Sequence, residues 1–365
     1  MKIAILHNYM DNIGGAEVVG LTLAKELKAD FYSTNIDHKK IKEMGFSDIN
    51  IKSIGKIPIN APFRQQSALL RFRMLNLKDK YDLFIIDGDW AVSAAVNNKP
   101  NLWYCHSPIR EIWDLYEYTR ANTVGRLMPG ELSKILFDIW VYYNRFLTKK
   151  YIDNIDKIIV NSKNVQNRVK KYLNRESTII HPPINTKEFY YKKNGNFWLS
   201  VNRLLQFKRI ELQMKAFENL PDEKLVIVGC YEKSDHFTGY VKYIKKIKPK
   251  NVVLLKSLPK KELIDYYANC KAFIATSLNE DFGMAPVEAM ASGKPVLAVN
   301  EGGYKETVLD GITGKLVNAE VEEIVKGIKE INKNPKEYKS SCLKQAKNFD
   351  TNIFIKKIEG VIDEH

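Results

Sequence analysis

Short apolar runs alternate with helix-period segments along the whole chain. Residues 3–6 form an uninterrupted apolar run, the pattern of a buried strand. Gly14-Gly15 follows and leads into Ala16, Val19, Leu23 and Leu27, which share one face of a helix. Further strands are predicted at 83–86, 102–105 and 158–160, and Ser162 is the natural N-cap of a helix over 164–172. His181-Pro182-Pro183 interrupts the pattern, the polar stretch 190–196 follows, and the boundary between two lobes is set there. The second half repeats the alternation with strands at 197–201, 225–228, 252–255, 272–275 and 296–299. Apolar strands alternating with helices imply parallel sheets covered on both faces. The fold class is therefore α/β, with two Rossmann-like parallel-sheet lobes over 1–192 and 193–350. A last helix within 351–365 is free to pack on either.

Two segments stand apart. Residues 63–78 mix Arg64, Arg71 and Arg73 with Phe63, Leu69, Leu70, Phe72, Leu75 and Leu77, which suits either an anionic lipid surface or a packed helix with a solvated edge. Leu132, Ile135, Leu136, Ile139, Trp140, Tyr143, Phe146 and Leu147 keep helical spacing so regularly that they are expected to face the core.

A length of 365 residues and 45% apolar content support two real cores rather than disorder. The formal charge of +14 favours an anionic partner without choosing among phosphate, nucleic acid and acidic membrane. The excess is uneven, with +9 in residues 1–192 and +5 in the remainder, and residues 52–80 carry seven basic groups against Asp79 alone. Cys105, Cys230, Cys270 and Cys342 lie far apart with no C-x-x-C, which argues against a zinc site or disulfide framework and fits a reducing cytoplasm. The initial apolar run is too short for a signal peptide, and no stretch nears the ~20 apolar residues of a spanning helix. The protein is expected in the cytoplasm, free or peripheral on the inner face of a membrane.

Parallel α/β sheets bind ligands beyond the carboxyl ends of their strands, and unusual residue groups follow several strands here. Gly14 and Gly15 could bring backbone amides close to an anion, or form a plain turn. His106 and Arg110 follow the strand at 102–105 and could serve a sugar or phosphate, or merely tie the loop to the backbone. Arg203, Lys208 and Arg209 follow the strand at 197–201 and suit a diphosphate, although a run of cations is also a common solvated edge. The richest group is Glu280-Asp281-Phe282-Gly283-Met284-Ala285-Pro286-Val287-Glu288, after the strand at 272–275. Gly283 frees the backbone, Pro286 suits a first helical position, and two carboxylates could accept from vicinal hydroxyls. Glu288 could equally be a helix-dipole residue. Glu301-Gly302-Gly303-Tyr304-Lys305-Glu306 follows the strand at 296–299 and reads as another close-approach loop. Asp87-Gly88-Asp89 is formally a D-x-D metal motif, but it lies far in sequence from the cations, which can carry the charge themselves, so no metal is assigned.

Together these residues resemble glycosyltransferase family 4, the retaining enzymes of GT-B architecture. Glu280-x7-Glu288 matches its E-x7-E motif, Arg203 and Lys208 its R-L-x-x-x-K element, and Gly302-Gly303-x-x-Glu306 with Asp310-Gly311 and Gly314 its glycine-rich tail. Gly14-Gly15 and His106-Ser107-Pro108 also fit. The string from Cys105 to Asp114, with the segment 203–209, is similar to a mannosyltransferase branch. Asn202 and Arg209 stand where the family usually has glycine. The resemblance implies two lobes facing a central cleft. It implies a nucleotide-sugar co-substrate, GDP-mannose first and a UDP-sugar second, and no further cofactor. Arg203 and Lys208 would hold the diphosphate, and Phe282, Gly283, Met284 and Ala285 would offer backbone amides. Glu280 would face the transferred sugar, Glu288 the ribose, and Ser257 and Leu258 the base. His106 would join Glu280, Arg203 and Lys208 in catalysis, with Gly14 and Gly15 toward the phosphate and acceptor. Arg110, Trp113 and Asp114 would line the acceptor side, where a glycan or lipid-linked molecule is expected. Lobe closure would exclude water, and retention would follow from same-face attack assisted by the leaving phosphate.

Two other readings compete. A non-hydrolysing nucleotide-sugar epimerase shares the two-lobed architecture and needs no acceptor. A nucleic-acid-binding protein is suggested by the charge and 19 Tyr, but the aromatics sit in apolar patterns and no RNP, KH or helix-turn-helix signature occurs.

Overall fold

A computed structural model describes residues 1–12, 14–122, 131–230 and 235–364. It divides into two compact units, Met1–Ile180 and His181–His365. Unit 1 holds strands β1 (Ile3–Tyr9), β2 (Asp30–Thr34), β3 (Ile51–Ser53), β4 (Leu83–Ile86), β5 (Asn101–Cys105), β6 (Lys157–Val160) and β7 (Thr178–Ile179). They form one sheet in the order β3-β2-β1-β4-β5-β6-β7, and every pairing is parallel. Unit 2 holds β8 (Phe197–Arg203), β9 (Lys224–Cys230), β10 (Val252–Leu255), β11 (Ala272–Ala275), β12 (Val296–Val299) and β13 (Gly314–Val317). Their order is β10-β9-β8-β11-β12-β13, again all parallel. The expected α/β class with two parallel-sheet lobes is the one observed.

Both sheets share a topology. In each, the chain winds outward from the first strand to one edge, then returns to the first strand's other side and winds the opposite way. The reversal opens a crevice at the carboxyl ends of β1 and β4 in unit 1, and of β8 and β11 in unit 2. Central strands are apolar on both faces because helices cover both. Trp103 and Phe84 are buried in unit 1, and Trp198 and Phe273 in unit 2. The polar stretch 190–196 is pinned to unit 2, with Lys192 and Gly195 amides donating to the carbonyls of Ala268 and Asn269. The buried Lys294 ammonium also donates to the Lys192 carbonyl at 2.9 Å.

Several expectations need correction. The apolar helix Glu131–Ile152 does not turn its regular stripe inward. Leu132, Ile135, Leu136, Ile139, Tyr143 and Phe146 are exposed, as is Tyr142. Trp140 and Leu147, with Phe137, do pack on the core beside buried Val141, Asn144, Thr148 and Tyr151. The inward face is the more polar one because its polar groups find partners. Asn144 accepts from Gln66 at 2.8 Å and donates to the Trp140 carbonyl. The segment at 63–78 contains a packed helix, Phe63–Met74, burying Arg64, Ala68, Leu69 and Phe72. The Arg64 guanidinium pairs with Asp11 and lies 3.7 Å over the Tyr9 ring. Ser162 caps its helix by accepting from the Val165 amide, but that helix stops at Arg168 and a wider π-turn, Val169–Leu173, completes the segment. The strand expected at 197–201 runs on to Arg203, so this cation ends a strand rather than following one. The helix expected to begin at Pro286 begins at Met284. Pro286 still lies in the first turn, where a missing N–H leaves no helical bond unmade. The last helix is Thr351–Asp363, and His365 lies outside the described residues.

Candidate functional site

In unit 1 the chemistry gathers where the sheet reverses. His7 comes from β1, Asp87 directly follows β4 and His106 directly follows β5. Asp87 is fully buried between two imidazoles, with Oδ2 at 2.7 Å from His7 Nδ1 and Oδ1 at 2.8 Å from His106 Nε2. A carboxylate only accepts, so each of those ring nitrogens carries a hydrogen. His106 is thereby left with Nδ1 for other chemistry, and its carbonyl accepts from Asn161 at 2.8 Å. His7 Nε2 lies 3.7 Å from Glu17. Burial opposes charge on His7, yet hydrogen bonds to Asp87 and Glu17 raise its pKa to about 10. Glu17 in turn accepts from the Gly14 amide at 2.7 Å, the one half of a capping box that a glycine N-cap allows, at the start of the helix Gly15–Glu26. A continuous polar chain thus runs from Gly14 through Glu17, His7 and Asp87 to His106.

The D-x-D string has a packing explanation. Asp87 bridges the histidines, and a Cβ on Gly88 would sit 2.3 Å from the Asn8 side-chain oxygen. Asp89 accepts from Asn8 and from the Trp90 amide, and burial raises its carboxyl above the usual range. Gly20, on the helix Gly15–Glu26, makes room for this cluster, since a Cβ there would meet Asp87 Oδ2 at 2.3 Å. Sequence reasoning missed His7 and Gly20. A polar His directly after the apolar run that opens the chain was the available signal.

Arg110, Trp113 and Asp114 come together in one braced loop after β5. Arg110 donates to Asp114 at 2.8 Å, and Asp114 also faces Arg168 at 3.3 Å. Trp113 stacks on Tyr172 with centroids 5.4 Å apart, beneath the Arg145 guanidinium at 5.1 Å.

In unit 2 the loops after β8, β11 and β12 interlock. Leu278 donates its amide to the Phe207 carbonyl at 2.7 Å, and the Thr276 hydroxyl meets the carbonyls of Lys208 and Arg209. Arg209 adopts a left-handed conformation with φ +52, which accounts for the glycine preferred at that position in family 4. Its guanidinium pairs with Glu301 at 2.8 Å, while Arg203 at the end of β8 is exposed. Lys208 reaches Glu280 at 2.7 Å, both side chains largely buried. Burial alone pushes the Glu280 carboxyl up, but the Lys208 ammonium outweighs it and holds the group below the usual range.

The glycine pair at 302–303 approaches protein, not open space. A Cβ on Gly302 would lie 2.3 Å from the Glu280 carbonyl oxygen, and one on Gly303 would lie 2.5 Å from that of Asp281. The Gly303 amide donates to the Glu280 carbonyl at 2.8 Å. The 302–303 loop therefore fixes the backbone that presents Glu280. Gly283 follows at φ +97 and starts the helix Met284–Ala291 with no side-chain cap and no acidic residue in its first turn. Its leading amides are the kind of donor set that binds anions. Phe282 is buried, while Met284 and Ala285 are half-buried. Glu288, half-buried on that helix, accepts from the Tyr267 hydroxyl at 2.6 Å, and burial raises its pKa. Leu258 packs on the core after β10 and Ser257 beside it is exposed. Unit 2 thus brings Lys208, Glu280, Gly283 and the 302–303 loop together at the crevice beside β8 and β11.

Two family models match the chain. Residues 13–188 match the model described as Glycosyltransferase Family 4, and residues 183–349 match Glycosyl transferases group 1. The chain is 27% identical to the alpha-1,3/1,6-mannosyltransferase ALG2 of Dictyostelium discoideum, over 92% of this chain and 90% of that protein. It is 25% identical to the Candida glabrata protein of the same name, over 97% and 92%. Among solved structures, Anabaena HepE in complex with UDP and glucose superposes over 100% of both chains with a TM-score of 0.80 at 18% identity. The sucrose-phosphate synthase of Thermosynechococcus elongatus aligns with a TM-score of 0.74 over 100% of this chain and 98% of that one, at 16% identity.

Proposed function

Since the chain belongs to glycosyltransferase family 4, we propose that it moves a hexose, mannose first, from a nucleotide diphosphate sugar to a glycan or lipid-linked acceptor with retention and without a metal. The observation that carries this reading is the Lys208–Glu280 pair beside the uncapped helix start at Gly283. A diphosphate needs cations and amides, a sugar needs acceptors, and both kinds of group meet in one crevice. Lys208 and Arg203 neutralise the diphosphate and the charge that grows on it as the glycosidic bond breaks. The amides of Met284 and Ala285 complete that cradle. Glu280, kept ionised by Lys208, accepts from sugar hydroxyls. Glu288 takes the ribose hydroxyls with the oxygen that Tyr267 does not occupy. Ser257 and Leu258 line the base. From unit 1, His106 acts on the sugar through Nδ1, Gly14 and Gly15 serve the phosphate and acceptor end, and Arg110, Trp113 and Asp114 shape the acceptor side. Mannose is favoured by the ALG2 relatives, which are alpha-1,3/1,6-mannosyltransferases.

A thermal-shift panel of GDP, UDP, ADP and their sugars in EDTA tests the proposal, because a ligand that binds only the native state raises the melting temperature. GDP and GDP-mannose should give the largest shifts. A shift that disappears entirely in EDTA refutes the metal-free reading, and a larger shift with UDP-sugars reassigns the donor. Isomerised nucleotide sugar formed without acceptor would replace transfer with epimerisation.

A further inference from the structure

The apolar stripe on the helix Glu131–Ile152 points away from the core, although that helix is firmly seated by its opposite face. Ile139 and Phe146 are each 60% exposed and Tyr142 is 79% exposed. A contiguous apolar face of this kind is far from what water favours, and it marks a contact surface. The helix Phe63–Met74 lies alongside. Gln66 bonds Asn144 at 2.8 Å, and both helices pack on the turn Ala91–Val96. This second helix adds exposed Phe63, Leu70 and Met74.

Charge decides the occupant. Exposed Lys149 and Lys150 close the stripe at its carboxyl end, and exposed Arg71 rises from the neighbouring helix. The acidic groups on the long helix are already neutralised, Glu131 by Lys134 at 2.7 Å and Asp138 by Arg120 at 2.9 Å. A protein partner, a second copy included, would expect roughly one hydrogen bond per 100–200 Å². The stripe offers only the hydroxyls of Tyr142 and Tyr143 between Leu132 and Phe146. Apolar side chains edged by Lys, with Tyr at the boundary, fit the surface of an anionic bilayer. Among the described residues no helix is long and apolar enough to cross a membrane, so this one would lie along the surface.

We infer that these two helices of unit 1 dock the enzyme on an anionic lipid surface, the long helix lying in the interface with its outward stripe in the acyl region and Lys149 and Lys150 among the headgroups. The inference goes beyond the transferase reading and stands independently of the donor. Its test is co-sedimentation of the full chain with phosphatidylglycerol–phosphatidylcholine vesicles at low salt, against pure phosphatidylcholine. Wild type should bind the acidic vesicles. Ile139→Ser/Phe146→Ser should weaken binding at least about tenfold, and Lys149→Ala/Lys150→Ala about thirtyfold. Melting temperature and nucleotide-induced shift should stay unchanged in both, which separates this result from failure of folding or of donor binding. Three outcomes overturn the inference: no binding by wild type, full binding by the serine variant, or a micromolar dimer that the serine variant dissolves while vesicles are ignored.

Discussion

Two helices in this chain begin at glycines after the first or fourth strand of a parallel sheet, and they treat their free amides in opposite ways. At Gly14 the protein satisfies its own donor, because the Glu17 carboxylate folds back onto the Gly14 amide. At Gly283 no side chain caps the helix, and the neighbouring carboxylate, Glu280, is turned to Lys208 instead. The first start is tied through Glu17 to an internal polar chain that continues through His7 and Asp87 to His106. The second is held open by backbone packing from Gly302 and Gly303. The same sequence signal, glycine before a helix, therefore gives either a start whose glycine amide is taken up, with Glu17 three residues on, or an uncapped start, with Pro286 at the equivalent place.

Asp87→Ala should have the largest effect, because it strips the acceptor from two imidazoles and leaves the buried His7 cation with Glu17 alone, at 3.7 Å. A loss of about 3–5 kcal/mol is expected in urea unfolding at neutral pH. The pH dependence sharpens the point. His7 has a raised pKa of about 10, so its contribution is complete below the free imidazole value of 6.5 and fades as pH climbs through about 10. Wild type should lose stability over that range, and in Asp87→Ala, where Glu17 alone still favours the His7 cation, that alkaline slope should shrink.

Lys208→Ala comes next and acts on the open side of the comparison. Sugar transfer should fall by roughly 10²–10³-fold in a radiolabelled-donor assay, as when one preorganised donor is removed from a developing anion. Glu280, with its pKa lowered, supplies stability above the free carboxyl value that is lost as pH falls through the folded value. Without Lys208, burial and the Asp281 charge push that carboxyl up, and the acid-limb contribution should vanish from thermal melts.

Two smaller changes compare the glycines directly. Gly303→Ala drives a methyl to 2.5 Å from the Asp281 carbonyl oxygen and the Phe282 Cα, and should cost about 1–3 kcal/mol together with nucleotide affinity. Gly14→Ala meets only the mobile end of Glu17 at 3.1 Å and should change the melting curve by no more than about 0.5 kcal/mol. Equal losses would break the distinction between the two starts. Glu17→Ala should cost about 1 kcal/mol, the ordinary value of a lost cap, measured by the same melts.

Much of this was legible in the residues. Apolar runs marked β1, β4, β5, β8 and β11 because strands buried on both faces must be apolar throughout. Strands β2, β3, β7 and β13 left no such mark, because polar residues such as Asp30, Ser33, Lys52, Thr178 and Lys315 interrupt them. The grouping of Lys208 with Glu280 was foreseen as shared chemistry, but not as a salt bridge. The stripe at 132–147 misled because helical spacing reports which residues share a face, and not which way that face turns.

By itself the sequence determined the local periods, the cap at Ser162, and the clustering of cations and carboxylates after strands. Only the tertiary structure decided partners and direction. It set Asp87 between two histidines 80 and 19 residues away, made Gly302 and Gly303 a brace for Glu280, and turned the long helix's apolar stripe outward. Hydrogen bonding and burial depend on what lies across space, and a linear pattern holds no record of the neighbour on the far side of a sheet.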